Sequence, residues 1–255
     1  MKPSSADLAR GLTAELTRQR NPKRAATEKA YLKSDLEFLG VSLPTQRALV
    51  RQVKRRFPDL DRSALLRVVG PLWRTPTFET RLTAVLLLEA FEAVLLPPDM
   101  LLLERLIRES QTWALVDELA IAITGPLVER HPSLTRGLDR WSRHPDFWLR
   151  RSSMLALLGP LRRGEGDFRR FAGYADRMLE EPQFFIRKAI GWVLRETSKR
   201  RPNLVYRWIR PRAGRASGVT LREAVKYLSA WQREGVLRAA RSGPRGSAAS
   251  GRAPR

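Results

Sequence analysis

Apolar residues recur at three- and four-residue intervals through most of the chain, and neither strand-like alternation nor an Asn-Gly hairpin turn interrupts them. The pattern predicts one helix after another. Breaks fall where Pro and Gly cluster: Asn21-Pro22, Gly40 to Pro44, Phe57-Pro58, Thr75-Pro76, Pro97-Pro98, His131-Pro132, His144-Pro145, Gly164 to Gly166, Glu181-Pro182, Arg201-Pro202 and Arg212 to Gly218. About a dozen short helices result, and the fold class expected is all-α.

The breaks recur with a period. PTFETRLTAVLLL opens at Pro76, PDFWLRRSSMLAL at Pro145 and PQFFIRKAIGWVL at Pro182, so a Pro-x-Phe-x-x-Arg start is repeated ahead of an apolar helix. Pro76 and Pro145 are 69 residues apart and Pro145 and Pro182 are 37 apart; half of the first interval falls on Ser110, which opens SQTWALVDELAI. That alignment sets Trp113 beside Trp148 and Phe185. Pro44 lies 32 residues before Pro76, and Arg222 lies 35 after Arg187. A period of this size filled by two helices is the signature of a helical solenoid, in which the same helix of every repeat lines one concave wall.

Charge gives that wall a purpose. The 255 residues carry 48 Lys+Arg against 26 Asp+Glu, a net charge of +22, with 43% apolar residues, enough for a sizeable core. Arg238 onward, RAARSGPRGSAASGRAPR, has arginines and no acid and lacks hydrophobic periodicity, so it is expected to be a disordered basic tail behind a folded domain of residues 1–237. The folded part stays strongly cationic, which favours a polyanion such as nucleic acid. Arg81, Arg150, Arg151, Arg187, Lys188, Arg222 and Lys226 follow the repeat starts and would offer a row of cations to backbone phosphates. Any one of them serves equally well to brace its own helix against a neighbour; for the row as a set, phosphate binding is favoured.

One repeat departs from the rule. It has Leu115 where its neighbours have Arg150 or Arg187, and it places Asp117 four residues after Trp113, so an indole and an acid share one helix face. A carboxylate paired with a neighbouring repeat's Arg accounts for Asp117 as simply as catalysis does. The helix starting at Gln183 is apolar along Ile186, Ile190, Val193 and Leu194, whereas Lys188, Trp192 and Arg195 point elsewhere. Trp192 between two cations suits either stacking on a base or sugar or packing on an adjacent helix. Other chemistries find little support. The chain has no cysteine, and both histidines, His131 and His144, directly precede a proline, which argues against metal sites and serine triads. No Walker A motif or complete dinucleotide fingerprint is present, so no cofactor is indicated. MKPSSADLAR lacks the apolar region of a secretory signal, and Glu89 interrupts the longest apolar run, so no membrane association is expected and the protein is read as soluble and cytoplasmic.

FFIRKAIGWVLRE from Phe184 to Glu196, with LREAVKYL, Tyr31, LGVSLPTQR from Leu39 to Arg47 and TWALVD from Thr112 to Asp117, resembles the DNA alkylation repair glycosylases of the AlkD type over nearly the whole chain up to about Leu237. The resemblance implies a right-handed superhelical solenoid of HEAT-like helix pairs with a concave basic groove, acting as a monomer on double-stranded DNA. It implies hydrolysis of the N-glycosidic bond of cationic N3- or N7-alkylated purines, leaving an abasic site, without metal or cofactor and without inserting the base into a deep pocket. Asp117 would be the essential carboxylate, Trp113 and Trp192 the cleft indoles, and Tyr31 a tyrosine supplied by the N-terminal helices. Arg151 and Arg195 would be basic residues at the lesion, and Arg47 joins the DNA-binding set. The family's Trp-Trp pair is Thr112-Trp113 here, which alters the cleft but keeps the spacing from Trp113 to Asp117. The alternative is a non-catalytic solenoid binding DNA or structured RNA through the same cations.

Overall fold

The computed structural model describes residues 4–242, and among them every regular element is helical apart from an isolated parallel bridge between Glu37 and Thr77. The chain divides into two compact units, Met1–Leu134 and Thr135–Arg255.

In the first unit, α1 (Ser5–Arg18), α2 (Pro22–Leu32), α3 (Leu43–Arg56), α4 (Arg62–Arg74), α5 (Phe78–Ala90), α6 (Met100–Glu109), α7 (Trp113–Glu118) and α8 (Gly125–Arg130) follow one another. A π-helical segment, Leu119–Thr124, joins α7 to α8. The second unit contains α9 (Thr135–Trp141), α10 (Phe147–Leu155), α11 (Leu158–Arg163), α12 (Phe168–Met178), α13 (Phe184–Ser198), α14 (Pro202–Ile209), α15 (Gly218–Ala224) and α16 (Ala230–Arg241). In the first unit α5 packs against α3 and α7, and in the second α13 packs against α10 and α15, so each repeat touches its neighbours as repeat architecture requires.

The repeated Pro-x-Phe is a helix-start device. The middle residue, Thr77, Asp146 or Gln183, is the N-cap in each case, and the helix begins at the Phe. Asp146 and Gln183 cap with their side chains, accepting from the amides of Trp148 and Phe185. The Ser110 repeat starts one residue later than its alignment implies, because Gln111 takes the left-handed conformation at φ 55° and Thr112 becomes the N-cap. The expected boundary at Leu237 also shifts. Helix α16 continues to Arg241, with Val236 buried and Glu234 paired with Arg238 one turn on, so the first residues assigned to the basic tail are helical. The rest of that tail, 243–255, lies outside the described residues.

The core is mainly aliphatic, with buried rings such as Phe91, Trp141 and Phe171 among the leucines. Leu82 and the run from Ala84 to Leu88 on α5 are buried, as are Ile186, Ile190, Val193 and Leu194 on α13. At about 25 cal/mol per Å² of apolar surface removed from water, such burial is the main favourable term in folding. Among the described residues no helix is long and apolar enough to cross a membrane.

Candidate functional site

Tyr31 and Trp113 are brought together by an anchored loop, and Asp117 follows Trp113 one turn along α7. Tyr31 lies in the last turn of α2, which ends at Lys33 in the left-handed conformation. The chain then runs along the start of α5: the Glu37 amide donates to the Pro76 carbonyl at 2.9 Å, the Phe78 amide donates to the Glu37 carbonyl at 2.8 Å, and Phe38 stacks on Phe78. Glu79, fully buried, accepts from the amides of Leu39, Gly40 and Val41 at 2.9, 2.6 and 3.3 Å. Burial pushes its carboxyl above the ordinary carboxylate range, although the backbone donors pull the other way. Gly40 is required in this loop. Its φ is +77°, and a Cβ there would lie 2.2 Å from the Asn21 carbonyl oxygen. Both ends of α2 are thereby tied down, since the Asn21 amide also donates to the Leu39 carbonyl.

So held, Tyr31 is 71% exposed and meets Trp113 edge to face, with ring centroids 5.9 Å apart. Trp113 is the first residue of α7, and Asp117, one turn on, is half-buried. The residue before the N-cap, Gln111, holds its left-handed conformation without being a glycine, and the helix widens to a π turn directly after Glu118. Local strain and π segments concentrate at functional sites. The Thr124 hydroxyl donates to the Leu119 carbonyl five residues back, which closes the widened turn. Thr112, at the position of the family's first Trp, is buried and its hydroxyl has no partner among the described residues.

Two further acids adjoin this patch. Glu118 pairs with Arg47 at 3.4 Å, which brings α3 to α7. Burial pushes the Glu118 carboxyl up, Glu89 on α5 adds to the shift, and Arg47 opposes it. Glu89 and Glu118 were not singled out from the sequence, although Glu89 had a signal, being the acid that interrupts an apolar run.

In the second unit, α10 and α13 carry Arg151 and Trp192. Arg151 is only 2% exposed; its Nη1 donates to the Phe185 carbonyl at 2.5 Å and its guanidinium lies over the Phe185 ring at 5.8 Å. Phe147, Trp148, Phe184 and Phe185 form a continuous aromatic cluster there, which periodicity alone could not separate from ordinary core. Trp192 is half-buried and lies off the apolar stripe of α13. Lys188 and Arg195, which flank it in sequence, both grip Glu223 on α15; the Lys188 Nζ distance is 2.7 Å. Burial opposes ionisation of Glu223, but the two cations outweigh it and hold its carboxyl below the ordinary range. Gly191 permits this approach, since a Cβ there would lie 2.8 Å from the Glu223 Cβ.

The arginines at the repeat starts share one role. Arg81 donates to the carbonyls of Trp73 and Glu109, Arg150 to those of His144 and Pro145, and Arg187 to that of Glu181. Arg150 is also paired with Glu181 at 2.9 Å. Arg150 and Arg187 tie down the loops that enter their own helices, and Arg81 links the ends of α4 and α6, the bracing use that stood beside phosphate binding in the sequence. Arg222 and Lys226 are exposed, without an ion pair among the described residues. No group of three or more His, Cys, Asp or Glu placed to hold a metal ion occurs among the described residues.

Comparison with known proteins places these features in a family context. The family model described as DNA alkylation repair enzyme matches residues 12–228. The chain is similar to the solved structure of a protein from Enterococcus faecalis described as a predicted DNA alkylation repair enzyme, at 23% identity and a TM-score of 0.75, covering 83% of this chain and 98% of that one. It is also similar to AlkD2 from Streptococcus mutans, at 14% identity and a TM-score of 0.51, covering 86% and 98%. At these identities the structural likeness establishes the fold. No curated protein sequence matches the chain.

Proposed function

The chain belongs to the DNA alkylation repair enzyme family, and from that premise we propose that it is a DNA glycosylase hydrolysing the N-glycosidic bond of cationic N3- and N7-alkylated purines in duplex DNA. The observation that carries this reading is the patch formed by Tyr31, Trp113 and Asp117: two aromatic rings in edge contact beside a half-buried acid, on a chain with a charge of +22. A carboxylate repels a phosphate but attracts the positive charge that develops on a sugar losing its base.

The chemistry suits these groups. The C1′–N bond of an alkylated purine breaks heterolytically, and its electron pair neutralises the positive base, which leaves as a neutral alkylpurine. The sugar is left as an oxocarbenium cation, and water adds at C1′ and loses a proton to give the abasic site. The Asp117 carboxylate stabilises the sugar cation and orients the water. The faces of Trp113 and Trp192, with Tyr31, favour the cationic base and sugar. Arg47, Arg222 and Lys226 hold backbone phosphates along the duplex. We assign Arg81, Arg150, Arg151, Arg187, Lys188 and Arg195 a smaller part, although the family resemblance sets Arg151 and Arg195 near the lesion, because donors of each are already engaged within the protein. The protein acts in this reading as a cytoplasmic monomer.

The test is single-turnover release of base from a duplex with one N7-methylguanine, comparing wild type with Asp117→Asn and measuring duplex affinity alongside. Wild type should generate abasic sites, and the variant should bind DNA normally but lose at least about a hundredfold in rate, the scale of one well-placed electrostatic group. Wild type that binds duplex yet releases neither N7-methylguanine nor N3-methyladenine above the spontaneous rate would overturn the glycosylase reading in favour of a non-catalytic DNA-binding repeat protein.

A further inference from the structure

A cleft of about 380 Å³ lies between α15 and α16, with Leu221, Val225 and Leu237 as its apolar walls and Arg222, Lys226 and Arg233 as its cations. We propose that this cleft is an anchor for a sugar-phosphate unit of the DNA backbone, with Arg233 as a phosphate-binding residue that neither the repeat pattern nor the family resemblance singled out. The proposal rests on the reading of the protein as a DNA repair enzyme.

The acids nearest these cations in sequence are engaged elsewhere. Arg222 is followed by Glu223, and Arg233 by Glu234, so each cation has a carboxylate next to it in sequence. Neither acid serves it. Glu223 is taken by Lys188 and Arg195, and Glu234 by Arg238. Arg222, Lys226 and Arg233 are all exposed and have no ion pair or side-chain hydrogen bond among the described residues. Three like charges lining one small cleft without a counter-ion are mutually unfavourable until an anion joins them. Arg81, Arg150 and Arg187 differ, each donating to backbone carbonyls within the protein.

Position and shape narrow the ligand. Arg222 lies on α15 and Lys226 in the turn just beyond its end, and the Arg222 guanidinium lies back across Gly218, with its Nη1 3.4 Å from where a Cβ would be. A side chain at residue 218 would crowd it. The cations lie beside apolar side chains. A free phosphate ion gains nothing from Leu221, Val225 and Leu237, whereas a deoxyribose covers them while its phosphate meets the arginines. Such a contact positions a duplex without reading its sequence and acts on damaged and intact DNA alike.

The experiment is a titration of an undamaged duplex with the full chain over a range of salt concentrations. The slope of log K against log[salt] should become less steep by about 1 in Arg233→Gln and by about 2 in the double variant Arg222→Gln/Arg233→Gln. The control, Arg105→Gln/Arg108→Gln on the exposed side of α6, removes the same charge and should leave the slope unchanged. Thermal unfolding checks that all variants are folded. A wild-type slope in the double variant, or an equal fall in the control, overturns the anchor. Wild type that binds duplex without salt dependence overturns the DNA-binding reading itself, and the anchor with it. In a second arm chloride is exchanged for inorganic phosphate at constant ionic strength. Unchanged wild-type affinity supports a backbone phosphodiester, and a loss seen in wild type but absent in Arg233→Gln would assign the cleft to free phosphate instead.

Discussion

Replacing Glu79 with alanine removes the one side chain that satisfies three successive backbone donors, the amides of Leu39, Gly40 and Val41. Gly40 and Val41 are buried, so water does not reach their amides freely once the carboxylate is gone. An orphaned buried donor costs about 1–3 kcal/mol. Two such donors set the destabilisation at about 2–6 kcal/mol, offset in part because a buried carboxyl no longer has to be desolvated. At about 2–4 °C per kcal/mol for a chain of this size, a net loss of about 2 kcal/mol would make Glu79→Ala melt about 4–8 °C below wild type. Urea unfolding followed by circular dichroism gives the free energy directly. A loss under about 0.5 kcal/mol would refute the reasoning, because the loop would then be held by the Glu37 bridge and the Phe38–Phe78 stack alone.

The same residue makes a pH prediction through Glu79→Gln. Burial raises the native carboxyl above its ordinary value of 4.5, so the folded state binds this proton more tightly than the unfolded chain does. Its contribution to stability is therefore fully present below pH 4.5 and is lost as pH rises through the raised native value. Glutamine cannot titrate. The stability of wild type relative to Glu79→Gln should accordingly fall as pH rises from 4 toward neutrality, and a difference that grew with pH would contradict the sign of the shift.

Gly40→Ala should be worse tolerated than an ordinary glycine substitution, costing about 2–4 kcal/mol from the left-handed backbone and a Cβ driven against the Asn21 carbonyl, read as a fall in urea midpoint; near-neutrality would mean that the loop is not pinned. Tyr31→Ala should behave in the opposite way. The ring is 71% exposed, so stability should stay within about 0.5 kcal/mol of wild type, while single-turnover base release slows by about two- to tenfold from loss of the edge contact on Trp113. An unchanged rate would remove Tyr31 from the site.

Local rules carried much of the way from sequence to site. Helix starts announce themselves chemically, because a proline followed by a capping residue and an apolar run has few other conformations; Pro76, Pro145 and Pro182 therefore marked α5, α10 and α13 in advance. The four-residue spacing of Trp113 and Asp117 likewise sufficed to place them on one helix face. What the sequence could not disclose depends on partners distant along the chain. The repeated arginine looks the same whether its donors meet a phosphate or a carbonyl, and only the packed loops reveal that Arg81, Arg150 and Arg187 meet carbonyls. Glu79 reads as an ordinary first-turn acid until the fold sets residues 39–41 against it.

The hydrophobic period and the charge balance are properties of the covalent chain, so the sequence by itself determined an all-helical repeat protein with a cationic surface. Which cations remain available, which acids are buried and which rings meet are decided by distances between side chains that lie about 28–82 residues apart, as with Lys188, Arg195 and Glu223, or Tyr31 and Trp113. Electrostatic and ring contacts act over a few ångströms, and only tertiary packing brings such residues that close.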